Sequence, residues 1–225
     1  MRSVEVAASI TTADFGNLYR VVRKLEQAGV DRLHLDVMDG VFVPNITFGP
    51  AVVAAVRRRT RLPIDAHLMI EYPDRFVDRF IDAGADTLTF HVEVDSPAQA
   101  KRETLARIRE AGRVPGLAIS PATPASALEE FVDDLGIIMV MTVEPGFGGQ
   151  DFMPEPAAKI ADARRMFGSR AGTSVHVDGG VSAPTAGVVG HYGVDVCVVG
   201  SALFQRGRDT AEEVEAVKRA AAAAE

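Results

Sequence analysis

The chain has a single cysteine, Cys197, among 225 residues. It can form no internal disulfide and no thiolate metal site, and a reducing compartment is expected. Positive charge is also in deficit: 24 Lys and Arg stand against 31 Asp and Glu, a net charge of −7 with an isoelectric point near 5.3. A protein that tracks nucleic-acid phosphates needs a basic face, so nucleic acid is not an expected partner, and an anionic ligand must be attracted locally. Long apolar runs are missing as well. The most apolar stretch, Leu135 to Val143, falls far short of the roughly 18–20 residues that cross a bilayer, so no membrane partner is expected. The N-terminus carries Arg2 but then Glu5 in a short alternating run. It has neither the long apolar centre of a secretory signal nor the acid-poor character of a transit peptide. These absences point to a cytoplasmic protein starting at Met1.

What is present is a chain 47% apolar, in which short β-branched runs alternate with helical patterns from end to end. That grammar belongs to parallel strands joined by crossover helices. It predicts strands at Val4–Ile10, Arg32–Val37, Ile64–Met69, Thr87–Val92, Val114–Ile119, Ile137–Val143, Ser174–Asp178 and Val194–Val199. Eight strands at about 28 residues per unit predict a compact α/β fold, a (β/α)8 TIM barrel occupying residues 1–225 as a single domain. Helices stop at Ala28-Gly29, Ala83-Gly84, Ala111-Gly112 and Tyr192-Gly193, each just before a strand; one starts at Asp14 or its neighbour, another at Pro73, and a last one runs from about Thr210 to a frayed end at Glu225. An open doubly wound sheet would want Gly-x-Gly-x-x-Gly after the first strand, but Ile10-Thr11-Thr12-Ala13-Asp14 has none.

Three kinds of residue gather at the predicted strand ends. Period-2 geometry puts His34, Asp36 and Met38 on one face of the second strand and Leu33, Leu35 and Val37 on the other. His67 ends the third strand and Asp178 the seventh. Each alone reads as a hydrogen-bonded polar residue, but two His and two Asp on one rim form a plausible four-ligand site for a divalent cation such as Zn²⁺. His91 is a ligand, a supporting or a structural residue; His176, His191 and Cys197 read as structural. Met38, Met69 and Met141, near the ends of the second, third and sixth strands, would give that site a polarisable, water-poor floor. Glycine-rich loops follow the late strands: Gly146-Phe147-Gly148-Gly149, Gly179-Gly180 and Gly200-Ser201. Backbone amides there can approach a phosphate closely, which would let an acidic protein bind an anion without Lys or Arg.

The blocks Ala8-Ser9-Ile10, His34–Gly40 continuing through Phe42–Asn45, Ala66–Met69, Val140–Gln150, Val177–Gly180 and Gly200–Phe204 closely resemble the ribulose-phosphate 3-epimerase family over nearly the whole chain. The resemblance implies a β/α barrel that interconverts D-ribulose 5-phosphate and D-xylulose 5-phosphate in the pentose phosphate or Calvin pathway, with one divalent metal and no organic cofactor. Zn²⁺ is the first expectation, with Fe²⁺, Mn²⁺ and Co²⁺ as alternatives. It further implies that His34, Asp36, His67 and Asp178 hold the metal and that Asp36 and Asp178 transfer the proton. Ser9, His67, Gly146, Phe147, Gly148, Gly149, Gly179, Gly180, Gly200 and Ser201 would then contact the substrate. The expected partners are a small phosphosugar and further copies of the chain. The sequence departs from the family pattern at Ala8, at Thr11-Thr12, and at Ser120, where Asn or Lys is common. A 3-epimerase of a related sugar such as allulose 6-phosphate is the competing reading. A phosphosugar lyase would want a Lys where Met38 stands, and a non-catalytic binding barrel would have no need of paired carboxylates.

Overall fold

A computed structural model describes residues 3–205 and 207–223. Eight strands, β1 (Glu5–Ser9), β2 (Arg32–Met38), β3 (Ile64–Met69), β4 (Thr87–His91), β5 (Val114–Ile119), β6 (Ile137–Met141), β7 (Ser174–Asp178) and β8 (Val196–Val199), form a closed barrel in sequential order. Every neighbouring pair is parallel, and β1 closes on β8. Among the described residues seven α-helices surround it: α1 (Leu18–Gln27), α2 (Pro50–Arg57), α3 (Val77–Asp82), α4 (Ala98–Glu110), α5 (Lys159–Phe167), α6 (Ala183–His191) and α7 (Thr210–Ala222). The crossover from β5 to β6 is a 3-10 segment, Ala125–Asp134. This is the expected (β/α)8 architecture, and no helix among the described residues is long and apolar enough to cross a membrane.

The helix-glycine-strand junctions share one physical cause. Gly29, Gly84, Gly112 and Gly193 have φ between 72° and 96°, a region that costs an L side chain about 1–2 kcal/mol. That conformation turns the chain so that the following amide reaches back five residues: Val30 to Leu25, Ala85 to Phe80, Arg113 to Ile108 and Val194 to Val189. Carbonyls at the helix ends are satisfied, and the chain is aimed into the next strand.

Predicted boundaries moved where side chains or loops intervene. The helix expected from Asp14 opens as a 3-10 turn over Phe15–Asn17, in which Asp14 accepts from the Gly16 amide, and α1 proper begins at Leu18. The helix expected from Pro73 likewise opens as a 3-10 turn, with α3 beginning at Val77. Strand β6 ends at Met141: the Thr142 amide still donates to the Asp178 carbonyl at 2.8 Å, and its hydroxyl donates to the Gly179 carbonyl in the loop beyond β7 at 2.6 Å. The expected fraying at Glu225 lies outside the described residues.

Two different interiors result. Leu33, Leu35 and Val37 join the large apolar layer between barrel and helices, together with Cys197, Phe80 and Phe90. The barrel's own interior is markedly polar. At its N-terminal end Arg32 bridges Glu5 (2.6 Å) and Asp65 (3.1 Å), and Asp65 also accepts from Thr87 at 2.5 Å. Above lie His176, then His34, Thr89, His67 and His91, all buried. Such groups are tolerated because most are paired to one another.

Candidate active site

Register assembles the polar cluster at the C-terminal rim. On β2 and β3, His34 stands opposite Asp65, Asp36 opposite His67, and Met38 opposite Met69. Asp178 arrives from β7, where it pairs with Met141 of β6 and Val198 of β8. His34, Asp36, His67 and Asp178 thereby bring one ligand atom each to within 4.8 Å of one another. His34 Nε2 is 3.2 Å and His67 Nδ1 3.1 Å from Asp36 Oδ1, and His67 Nδ1 is 3.7 Å from Asp178 Oδ2. The other Asp36 oxygen accepts from the Ser9 hydroxyl at 2.6 Å and the Thr11 hydroxyl at 2.7 Å.

The electrostatics follow from this packing. Burial alone would pull His34 down, but the carboxylates of Asp36, Asp65 and Asp178 push it up to about 10. Burial opposes ionisation of Asp36, yet His34 and His67 hold it well below the usual carboxylate range. Burial and the neighbouring Asp36 charge raise Asp178 to about 7. Two carboxylates in one pocket cannot both ionise freely, so their behaviour splits. His67 and His91 are lowered, chiefly by burial.

The donor set suits a divalent cation. Two imidazoles and two carboxylates are ligands for a borderline metal. Both ring nitrogens of His34 are buried without a hydrogen-bond partner, although Nε2 sits close to Asp36. A cation at the cluster would use the Nε2 lone pair. The His34 Nδ1 faces Asp65 Oδ2 at 3.8 Å, on the side away from the cluster.

Above the cluster opens a cleft. Ser9, Asp36 and Asp178 line it with the three methionines, the Gly146–Gly149 segment, Gly179-Gly180 and Gly200-Ser201. His67 is fully buried and is not among the residues that line the cleft. Among the described lining residues there is no Lys or Arg, while Asp36, Glu144 and Asp178 are acidic. The methionines are almost fully buried. The loop after β2 is tied to the glycine-rich loop after β6, for Asn45 donates its side-chain amide to the Gly146 carbonyl at 2.8 Å.

Three residues in the arrangement escaped the sequence reading. Thr11 supports Asp36, Asp65 faces His34, and Glu93 accepts from the Ser120 amide beside His91. The departure at Ala8 does not reach the cleft, since Ala8 packs in the outer apolar layer. Ser120 does sit at the edge of the polar cluster, 3.4 Å from His91 Nδ1.

Residues 5–204 match the model of the ribulose-phosphate 3 epimerase family. A ribulose-phosphate 3-epimerase of Rhodobacter capsulatus is 44% identical over 213 residues, covering 95% of this chain and 91% of that one. The enzyme of the same name from Escherichia coli strain K12 is 41% identical, covering 92% and 91%. Among solved structures, a ligand complex of KGPDC from Streptococcus mutans superposes with a TM-score of 0.76, covering 97% of each chain. A 3-hexulose-6-phosphate synthase from Salmonella typhimurium superposes with a TM-score of 0.68, covering 99% of this chain and 100% of that one. At 12% and 17% identity these two speak for the fold alone.

Proposed function

This chain belongs to the ribulose-phosphate 3-epimerase family, and from that premise we infer that it inverts C3 of D-ribulose 5-phosphate, reversibly, to give D-xylulose 5-phosphate. The observation that carries the reading is a pair of carboxylates opening on one cleft, Asp36 from β2 held ionised and Asp178 from β7 raised to about 7. Inversion next to a ketone requires loss of the C3 proton from one face and return of a proton to the other. One carboxylate takes the proton, and the C–H electron pair becomes the C2–C3 double bond of an enediolate. The opposite carboxylic acid then protonates C3 from its own side, and the roles exchange in reverse. The net reaction moves only protons and calls for no organic cofactor.

We assign the metal-holding role to His34, Asp36, His67 and Asp178, with Zn²⁺ first and Fe²⁺, Mn²⁺ or Co²⁺ as alternatives suited to the same donors. When bound, such an ion supplies polarisation of the C2 carbonyl and stabilisation of negative charge on its oxygen. The complete burial of His67 supports its role at the metal rather than as a direct substrate contact. Ser9 and Thr11 hold Asp36 in one orientation. The Gly146–Gly149 segment with Phe147, together with Gly179-Gly180 and Gly200-Ser201, takes the body and phosphate of the sugar through backbone amides, a role favoured by the acidic character of the other lining groups. Val41 and Ile46, 70% and 75% exposed, together with Phe15 against Phe48, leave apolar surface that supports association with further copies of the chain.

The test is isotopic. Xylulose 5-phosphate formed in D₂O by the metal-loaded protein should carry deuterium at C3 by NMR, and Asp36→Asn and Asp178→Asn should each lower turnover by about 10²–10⁴-fold. Product wholly free of deuterium would overturn the two-base scheme. Faster turnover of D-allulose 6-phosphate than of ribulose 5-phosphate would move the substrate to a ketohexose.

A further inference from the structure

His67 joins two polar systems. Its Nδ1 faces the four-residue cluster, while its Nε2 lies 3.0 Å from Nε2 of His91. Beyond, His91 Nδ1 lies 3.1 Å from Glu93 Oε2, and Glu93 Oε1 accepts the Ser120 backbone amide at 2.7 Å. Lys159 fastens the same loop by donating to the carbonyls of Ser120, Pro121 and Thr123. Both imidazoles are fully buried, their rings stack at 5.1 Å, and the Phe42 ring sits 5.0 Å from His91.

Proton counting along this line leaves two arrangements for neutral rings. When two Nε2 atoms face each other at hydrogen-bond distance, one carries the hydrogen and the other accepts. If His67 Nε2 donates, then His91 carries its hydrogen on Nδ1 and gives it to Glu93, and His67 Nδ1 presents a lone pair to the cluster. If His91 Nε2 donates, the His91 Nδ1 lone pair confronts a carboxylate that only accepts, and His67 Nδ1 aims a hydrogen at the cation position. Ser120 Oγ, 3.4 Å from His91 Nδ1, is a distant alternative donor.

We propose that Glu93, acting through His91, fixes the tautomer of His67 that can bind a divalent cation. Glu93 and His91 are positioning residues, and the inference rests on the metal-site reading above. Carboxylate partners of metal-bound histidines raise metal affinity about 10–100-fold in general; here the carboxylate acts through an intervening ring.

The test uses Glu93→Gln, nearly isosteric, whose amide can donate to His91 Nδ1 and so favours the wrong arrangement. Zn²⁺ affinity is measured by chelator competition, and ring tautomers by long-range ¹H–¹⁵N spectra with and without Zn²⁺. In the native protein His67 should carry its hydrogen on Nε2 and His91 on Nδ1. In Glu93→Gln, Zn²⁺ affinity should fall by about 10–100-fold and the metal-free His91 hydrogen should move to Nε2. Should the variant fail to fold, the native Zn²⁺-loaded spectrum decides alone, and His67 protonated on Nδ1 there overturns the proposal. Unchanged Zn²⁺ affinity in a folded Glu93→Gln overturns it too. A native protein that binds no Zn²⁺ at all sinks the metal reading itself, an outcome distinct from a relay that fails in a protein that binds it.

Discussion

His176 is an imidazole that folding keeps neutral. It is fully buried on β7, its Nδ1 has no hydrogen-bond partner, and burial lowers it to about 4. Below about pH 6.5 the unfolded chain takes up a proton that the folded chain refuses, so stability falls as pH drops from about 6.5 to about 4. His67 and His91, also lowered by burial, push the same way. His34, raised to about 10, contributes stability that is complete below pH 6.5 and is lost as pH rises through 10. The difference between native and His176→Gln protein isolates one group: denaturant titrations should show the variant losing about 2–3 kcal/mol less over pH 6.5 to 4. Parallel pH profiles would refute this. At this scale the site was largely legible, since strand alternation fixes which face His34 and Asp36 occupy and strand ends fix the rim. Thr11, Asp65 and Glu93 were not, because each matters only through its register or loop contact with another strand.

At the scale of elements, two glycines with positive φ do different work. Gly29 has φ 79° with nothing within 4 Å of an added Cβ, whereas Gly180 has φ 65° and an added Cβ would lie 2.6 Å from the Phe152 backbone nitrogen. Gly29→Ala should cost about 1–2 kcal/mol in thermal or chemical unfolding and leave turnover unchanged. Gly180→Ala adds displacement of the loop that walls the cleft, so KM for the phosphosugar should rise severalfold as well. Equal kinetic effects of the two substitutions would contradict the distinction. Gly148 and Gly200 need no positive φ; an added Cβ at Gly148 meets the Thr12 side chain at 2.6 Å and at Gly200 only Ser9 at 3.7 Å. Glycine spacing marked the loops in sequence, but which glycine is under backbone constraint depends on the turn each loop makes. Strand existence was likewise written in the apolar alternation. The end of β6 was not, since Thr142 there bonds through its hydroxyl to Gly179 in the loop after β7.

For the whole molecule, the polar barrel interior couples folding to its ligand. Asp36 and Asp178 repel one another across the cluster, and a bound cation would neutralise both. Chelation should therefore lower the thermal midpoint, and at a metal concentration about 1,000 times its Kd, binding contributes about 4 kcal/mol. An identical midpoint with and without metal would count against the assigned ligands. The same interior has a calorimetric consequence. Apolar surface exposed on unfolding raises the heat capacity, whereas polar surface lowers it. Here the apolar layer lies outside the barrel, and inside are Arg32, Asp65, Thr87, Thr89 and four histidines. Scanning calorimetry should then give an unfolding heat capacity toward the lower end of the usual range of about 12–15 cal/mol/K per residue. The dome of stability against temperature would be correspondingly flat, with stability varying little across the working range.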